Sequence, residues 1–157
     1  MALSDSTTAL GAVLAKWAQE PGGLLPALHE AQELLGWIPP DAVAEIATAF
    51  NLSRAEVHGV ITYYHHFRSQ PAGRHVVQVC RAEACQAMGA DALLAHAERR
   101  LGCEVHASSA DGRYTLEPAF CLGLCASSPS VRVGGRLHAR LTPEKFDRVI
   151  AALEGVQ

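Results

Sequence analysis

Four of the five cysteines fall in two tight pairs, Cys80-Arg-Ala-Glu-Ala-Cys85 and Cys121-Leu-Gly-Leu-Cys125, spaced C-x4-C and C-x3-C with 35 residues between them. Each pair closes a loop small enough for both sulfurs to face one centre. Brought together, the pairs make a four-sulfur site, the ligand set of tetrahedral zinc or of an iron–sulfur cluster. A thioredoxin-type dithiol would need C-x-x-C, which neither pair has. Spacing alone leaves zinc and iron–sulfur open. Cys103 has no nearby partner and reads as a small buried hydrophobe at the start of a strand.

The residues around the pairs suit a negatively charged centre. A four-thiolate [2Fe–2S] group has a formal charge of two minus when oxidised and three minus when reduced, so it needs N–H donors near its sulfurs. Gly123 gives the second loop the backbone freedom to aim such donors, and Ala82 and Ala84 keep the first loop uncrowded. Arg81 can add a local positive charge. A helix expected to start directly after Cys85 would turn its free N–H groups and positive dipole end toward that sulfur.

The elements that must position these loops divide the chain in two, residues 1–72 and 73–157. In the first part, Ser4 to Ser6 can cap a helix whose buried face is Leu10, Val13, Leu14 and Trp17, and Pro21-Gly-Gly23 ends it. A second helix carries Leu28, Ala31, Leu34 and Leu35 to a stop at Gly36. A third follows Ile38-Pro-Pro-Asp41 with Val43, Ile46, Ala47 and Phe50. Ser53 and Glu56 form a capping box for a fourth, with Val57, Val60, Ile61 and Tyr64 on one face. Four amphipathic stretches in a row predict a small helical bundle. His65 and His66, about 100° apart on a helix, cannot chelate together, and the aromatic run Tyr63–Phe67 reads as a partner-binding surface.

From Gly73 the pattern changes to strands. Residues 74–79 form a β-branched run ending at Cys80, followed by a long helix with Met88, Leu93, Leu94, Ala97 and Leu101 inward and Gly102 as its stop. Residues 103–107 and 113–117 read as strands, with a turn at Ala110-Asp-Gly112 between them. Val131–Val133 and Arg136–His138 form a hairpin around Gly134-Gly135. Thr142 caps a closing helix with Phe146, Val149, Ile150 and Leu153 inward. The fold class is therefore α+β, a helical bundle followed by a small mixed sheet flanked by helices, compatible with a thioredoxin-like domain.

Composition narrows the function. The net charge of −3 lacks the basic face that nucleic-acid binding needs. Residues 1–68 carry three basic and seven acidic side chains against ten and nine in the remainder, and this shift marks the boundary between the parts. No apolar run is long enough for a membrane span and no secretory leader is evident, so the expected location is the cytoplasm, where thiols stay reduced and open to metals. No G-x-G-x-x-G follows a strand and no nucleophile–base pair stands out, so the chain has no catalytic site of its own.

At the cysteine loops the chain resembles the 24-kDa-type subunit family of respiratory complex I, thioredoxin-like [2Fe–2S] proteins. The shared residues are Gln78-Val-Cys80-x4-Cys85, Asp111-Gly112, Glu117-x3-Cys121-Leu-Gly-x-Cys125 and Pro129, with Gly36-Trp-Ile-Pro39 and Val57-His-Gly-Val-Ile-Thr-Tyr-Tyr64 to Phe67 in the helical part. The resemblance implies that Cys80, Cys85, Cys121 and Cys125 bind one [2Fe–2S] cluster. Within the family, residues 54–67 and Cys80–Gln86 look most like the gamma subunit of soluble molybdenum-containing NAD-dependent formate dehydrogenases. That likeness implies an electron-transfer subunit beside an FMN- and NAD-binding beta subunit, with a molybdenum-containing alpha subunit oxidising formate and further Fe–S clusters on the partners. The same subunit type in complex I or in an NAD-reducing hydrogenase is the alternative, and a structural zinc-binding interaction domain is a more remote one. Ser108-Ser109 and Ser127-Ser128 depart from the family's usual residues at their positions.

Overall fold

The computed structural model describes residues 3–155, with side chains from residue 8 onward. It divides into two compact units, Met1–Pro71 and Ala72–Gln157. The architecture is α+β, helices alone in the first unit and a five-stranded mixed sheet with helices in the second.

The first unit contains α1 (Leu3–Trp17), α2 (Leu24–Leu35), α3 (Pro40–Ala49) and α4 (Arg54–Tyr63). Helix α1 takes in Ser4–Ser6 rather than starting after them, and the capping role expected of their side chains lies outside the described residues. The other ends follow the sequence signals. Gly36 adopts φ +82° and stops α2. Pro40 occupies the first position of α3. At α4 the capping box forms in both directions: Ser53 Oγ accepts the Glu56 N–H at 3.2 Å and the Glu56 carboxylate accepts the Ser53 N–H at 2.8 Å.

The apolar stripes meet in a core of Leu10, Leu14, Leu28, Ile38, Ile46, Val57 and Ile61. Phe67 joins it, so the aromatic run is not a single exposed patch. Tyr63 and Tyr64 face solvent, and Tyr64 lies just past the helix instead of on its buried face. The buried Gln32 ties down the exit of the bundle, its amide donating to the His66 carbonyl at 2.9 Å and accepting the Arg68 N–H at 2.7 Å.

The second unit runs β1 (His75–Cys80), α5 (Glu83–Ala87), α6 (Ala90–Leu101), β2 (Ala107–Ser108), β3 (Tyr114–Ala119), β4 (Val131–Val133), β5 (Arg136–His138) and α7 (Pro143–Glu154). The strand order is β2-β3-β1-β4-β5, with β1 and β3 parallel and every other pair antiparallel. Alternation along the strands gives one face to Val77, Val79, Tyr114, Leu116, Val131 and Val133. These pack with Leu93, Leu94, Ala97 and Leu101 of α6 and Phe146 and Ile150 of α7. Gln78, Glu117 and Arg132 take the opposite face and bond in a row, Arg132 Nε to Gln78 Oε1 at 2.6 Å and Gln78 Nε2 to Glu117 Oε2 at 2.9 Å.

Two expectations for this unit change. The single long helix after Cys85 is instead two, because Gly89 at φ +88° breaks the run and leaves Met88 exposed. The strand expected over 103–107 shrinks to Ala107–Ser108, since His106 at φ +66° turns the chain and residues 103–105 lie outside the ladder. The hairpin and the Thr142 cap are as read, with Thr142 Oγ1 accepting the Lys145 N–H at 3.4 Å. Phe146 is fully buried between helix and sheet, so Phe146→Ala should cost the second unit about 3–5 kcal/mol, measurable as faster hydrogen exchange of the β1 amides.

Candidate metal centre

The register of the parallel pair sets the site. Cys80 closes β1 opposite Ala119 of β3, so both strands release their loops at the same end of the sheet. The pairing continues one step beyond, with the Arg81 N–H donating to the Ala119 carbonyl at 2.7 Å. On the other side of β1, the Cys80 N–H donates to the Ser130 carbonyl at 3.0 Å. Cys80 is thus fixed from both neighbouring strands before its sulfur does anything.

The first loop then coils at once into α5, and Cys85 lies inside this short helix, not ahead of a long one. The dipole of α6 begins five residues later and does not serve Cys85 as the sequence suggested. Two serine hydroxyls stand there instead. Cys85 Sγ lies 3.5 Å from Ser128 Oγ and 3.7 Å from Ser130 Oγ, and both serines are buried. Burial pushes the Cys85 thiol up, but its hydrogen bonds with Ser128, Ser130 and Cys80 outweigh that and hold it below the usual cysteine value. Ala90, Ala82 and Leu122 complete an apolar shell around Cys80 and Cys85.

The second loop is tighter and exposed. Cys121 sits at φ +101°, a backbone conformation that a side-chain-bearing residue rarely adopts, and Gly123 follows at φ +79°. This path turns the Gly123 N–H onto Cys121 Sγ at 3.4 Å and brings Cys121 Sγ to 3.7 Å from Cys125 Sγ, where a 3₁₀ turn (Cys125–Ser127) begins. Two thiolates on one tetrahedral metal with bonds of about 2.3 Å stand about 3.8 Å apart, so this pair is already spaced for a shared ion. The hydrogen bond with Cys121, then its negative charge and those of Cys85 and Cys80, push the Cys125 thiol up. A metal cation relieves that mutual repulsion.

The sulfurs gather as two neighbouring pairs. Among the described residues, no three His, Cys, Asp or Glu side chains converge closely enough to hold a single ion. Four cysteine thiols in two neighbouring pairs are a donor set that fits a [2Fe–2S] group, as it would a tetrahedral zinc, and Cys80, Cys85, Cys121 and Cys125 are the residues that would hold it. Arg81, beside Cys80, adds a cationic group whose Nε is buried without a protein acceptor, while its Nη2 reaches Asp91 at 3.4 Å. Cys103 stays apart, half-buried against the core of the second unit with its thiol pushed up by burial. Ser130 escaped the sequence reading; a small polar residue between the second cysteine loop and a strand was the available signal.

Comparison with known proteins identifies the family of the chain. A family model described as thioredoxin-like [2Fe–2S] ferredoxin matches residues 10–154. A component of the NADH-quinone oxidoreductase of Escherichia coli is 34% identical over 126 residues, covering 80% of this chain and 76% of that one. The HndA component of the NADP-reducing hydrogenase of Solidesulfovibrio fructosivorans is 30% identical over 133 residues, covering 85% and 78%. Among solved structures, an NAD⁺-reducing [NiFe]-hydrogenase in the H2-reduced state superposes with a TM-score of 0.71 at 28% identity over 86% of this chain. The chain spans only 22% of that hydrogenase chain's length.

The exposure of the two pairs is directly measurable. In metal-free protein, Cys121 and Cys125 should react with an alkylating reagent within the first phase, Cys103 more slowly, and Cys80 and Cys85 only on unfolding. Peptide mapping of the labelled protein reads the order.

Proposed function

The chain belongs to the thioredoxin-like [2Fe–2S] ferredoxin family, and from that premise we propose that Cys80, Cys85, Cys121 and Cys125 hold one [2Fe–2S] cluster in an electron-transfer subunit of a larger NAD-linked oxidoreductase. The observation that carries the ligand set is the convergence of two sulfur pairs at one end of β1 and β3. Bound there, the cluster supplies a one-electron couple that can serve a two-electron flavin partner. The chain's own residues give it an inside and an outside. The first pair sits in the apolar shell of Ala82, Ala90 and Leu122, which keeps water from those sulfurs. The second pair, with the 69% exposed Phe120 next to it, opens the site toward a partner.

The assembly we favour is the soluble molybdenum-containing NAD-dependent formate dehydrogenase of the cytoplasm, with this chain as its gamma subunit. Its partners would be the FMN- and NAD-binding beta subunit and the molybdenum-containing alpha subunit. Support comes from the likeness of residues 54–67 and Cys80–Gln86 to that subunit type. No helix among the described residues is long and apolar enough to cross a membrane. The names of the relatives support a second reading, the equivalent subunit of an NADH–quinone oxidoreductase or a nucleotide-reducing hydrogenase. Purifying the native complex separates them. Molybdenum with formate-dependent NAD⁺ reduction is the expected outcome; nickel, or a membrane arm, would establish the second reading.

The ligand set has its own test, made on the isolated chain under anaerobic conditions. A brown protein that bleaches with dithionite and gives about one spin-half EPR signal per chain is expected, whereas a colourless, zinc-loaded protein would sink the electron-transfer account. Cys121→Ser should lose the visible spectrum and loosen the second unit, because ligand binding is also folding energy. Cys103→Ser should keep the spectrum. For assembly, we assign the exposed Tyr63 and Tyr64 to the interface with the partner subunits; charged substitutions there should release the chain from the complex on gel filtration, and an intact complex would refute the assignment.

A further inference from the structure

We propose that the Ser130 hydroxyl donates a hydrogen bond to the Cys85 thiolate and thereby raises the reduction potential of the centre. This rests on Cys85 being a ligand. Ser130 sits immediately before β4 with 1% of its surface exposed. Its carbonyl holds the Cys80 N–H at 3.0 Å, which anchors the residue against the end of β1. Its Oγ stands 3.7 Å from Cys85 Sγ, and among the described residues no other side chain or backbone group shares that hydroxyl.

Ser128 looks equivalent and is not. Its Oγ is 3.5 Å from Cys85 Sγ, but its proton is given to the Cys125 carbonyl at 2.8 Å. Toward a cysteine thiol, Ser128 can accept; toward a metal-bound thiolate, which has no proton to give, it has nothing to offer in this arrangement. Ser128 therefore ties the second loop to the first, while Ser130 holds a proton whose one acceptor is the sulfur. A buried hydroxyl with that single outlet must point at Cys85 once the sulfur is a thiolate, because leaving it unpaired in an apolar shell is costly.

The sign follows from charge. The reduced centre carries one more negative charge than the oxidised one, shared over its sulfurs, so a donor to Cys85 Sγ binds the reduced state more strongly. Removing it disfavours reduction. Since this is a single hydrogen bond to a charged acceptor, we expect the ratio of reduced to oxidised protein at a fixed solution potential to fall about tenfold, equivalent to about 59 mV for a one-electron couple.

The test is an EPR-monitored redox titration of the full chain, wild type against Ser130→Ala. The variant keeps the backbone N–H and loses only the hydroxyl, so it should load the same iron and give the same spin count at a lower midpoint. An unchanged or raised midpoint overturns the proposal and leaves the ligand set standing. Wild type without a [2Fe–2S] spectrum, or Cys85→Ser with the native one, overturns the ligand set instead. Should the alanine variant fail to load, reduced wild type freshly moved into D2O decides the matter. A strongly coupled deuteron beyond the one supplied by the exposed Gly123 N–H at Cys121 must appear by electron–nuclear double resonance within minutes, before the buried amides exchange, and its absence also overturns the proposal.

Discussion

The parallel pairing of β1 with β3 is the constraint from which the site is built. In an antiparallel pair, two loops leaving the C-terminal ends of neighbouring strands would depart from opposite edges of the sheet. Parallel pairing in the observed register, with Cys80 beside Ala119, releases both at one edge. That arrangement is only possible because α5 and α6 carry the chain back along the sheet between the two strands. The core that holds α6 down, Leu93, Leu94, Ala97 and Leu101 against Val77, Val79 and Leu116, is thus also what holds the cysteine loops together. Packing and chemistry share one set of residues.

Charge is handled locally rather than by a helix end. Four thiolates in one place repel one another, as the raised Cys125 thiol already indicates. The chain answers with short-range donors, the Gly123 N–H at Cys121 and the proposed Ser130 hydroxyl at Cys85. Behind them, the Arg132–Gln78–Glu117 row links three adjacent strands on the sheet face away from α6 and α7. Its members flank the same strand ends, so the row resists any sliding of β1 against β3 or β4 that would spread the sulfurs.

Much of this was readable before any coordinates. Patterns of period near four and of period two separated the helical part from the sheet, and caps with a defined chemistry, Ser53–Glu56, Gly36, Gly102 and Thr142, placed their ends correctly. Two failures in the second unit share one physical origin. Left-handed residues interrupt patterns that hydrophobicity alone would continue: Gly89 cut the helix after Cys85, and His106 diverted the strand after Cys103. Neither changes the apolar period, so neither showed in it. The serine contacts at Cys85 were illegible for a different reason. Ser128 and Ser130 are 43 and 45 residues from the cysteine they touch, a proximity that exists only once β4 has paired with β1.

The unequal depth of the two pairs also bears on how such a centre is made and lost. Cys80 and Cys85 are almost wholly covered, while Cys121 and Cys125 lie on a surface loop held by a strained backbone and a glycine. Were the proposed cluster built here, iron and sulfide arriving from solvent would meet the outer thiols first, and oxygen and chelators would meet the same two sulfurs first. Delivery and damage would then share one doorway, which a partner seated on the second loop would close to both at once.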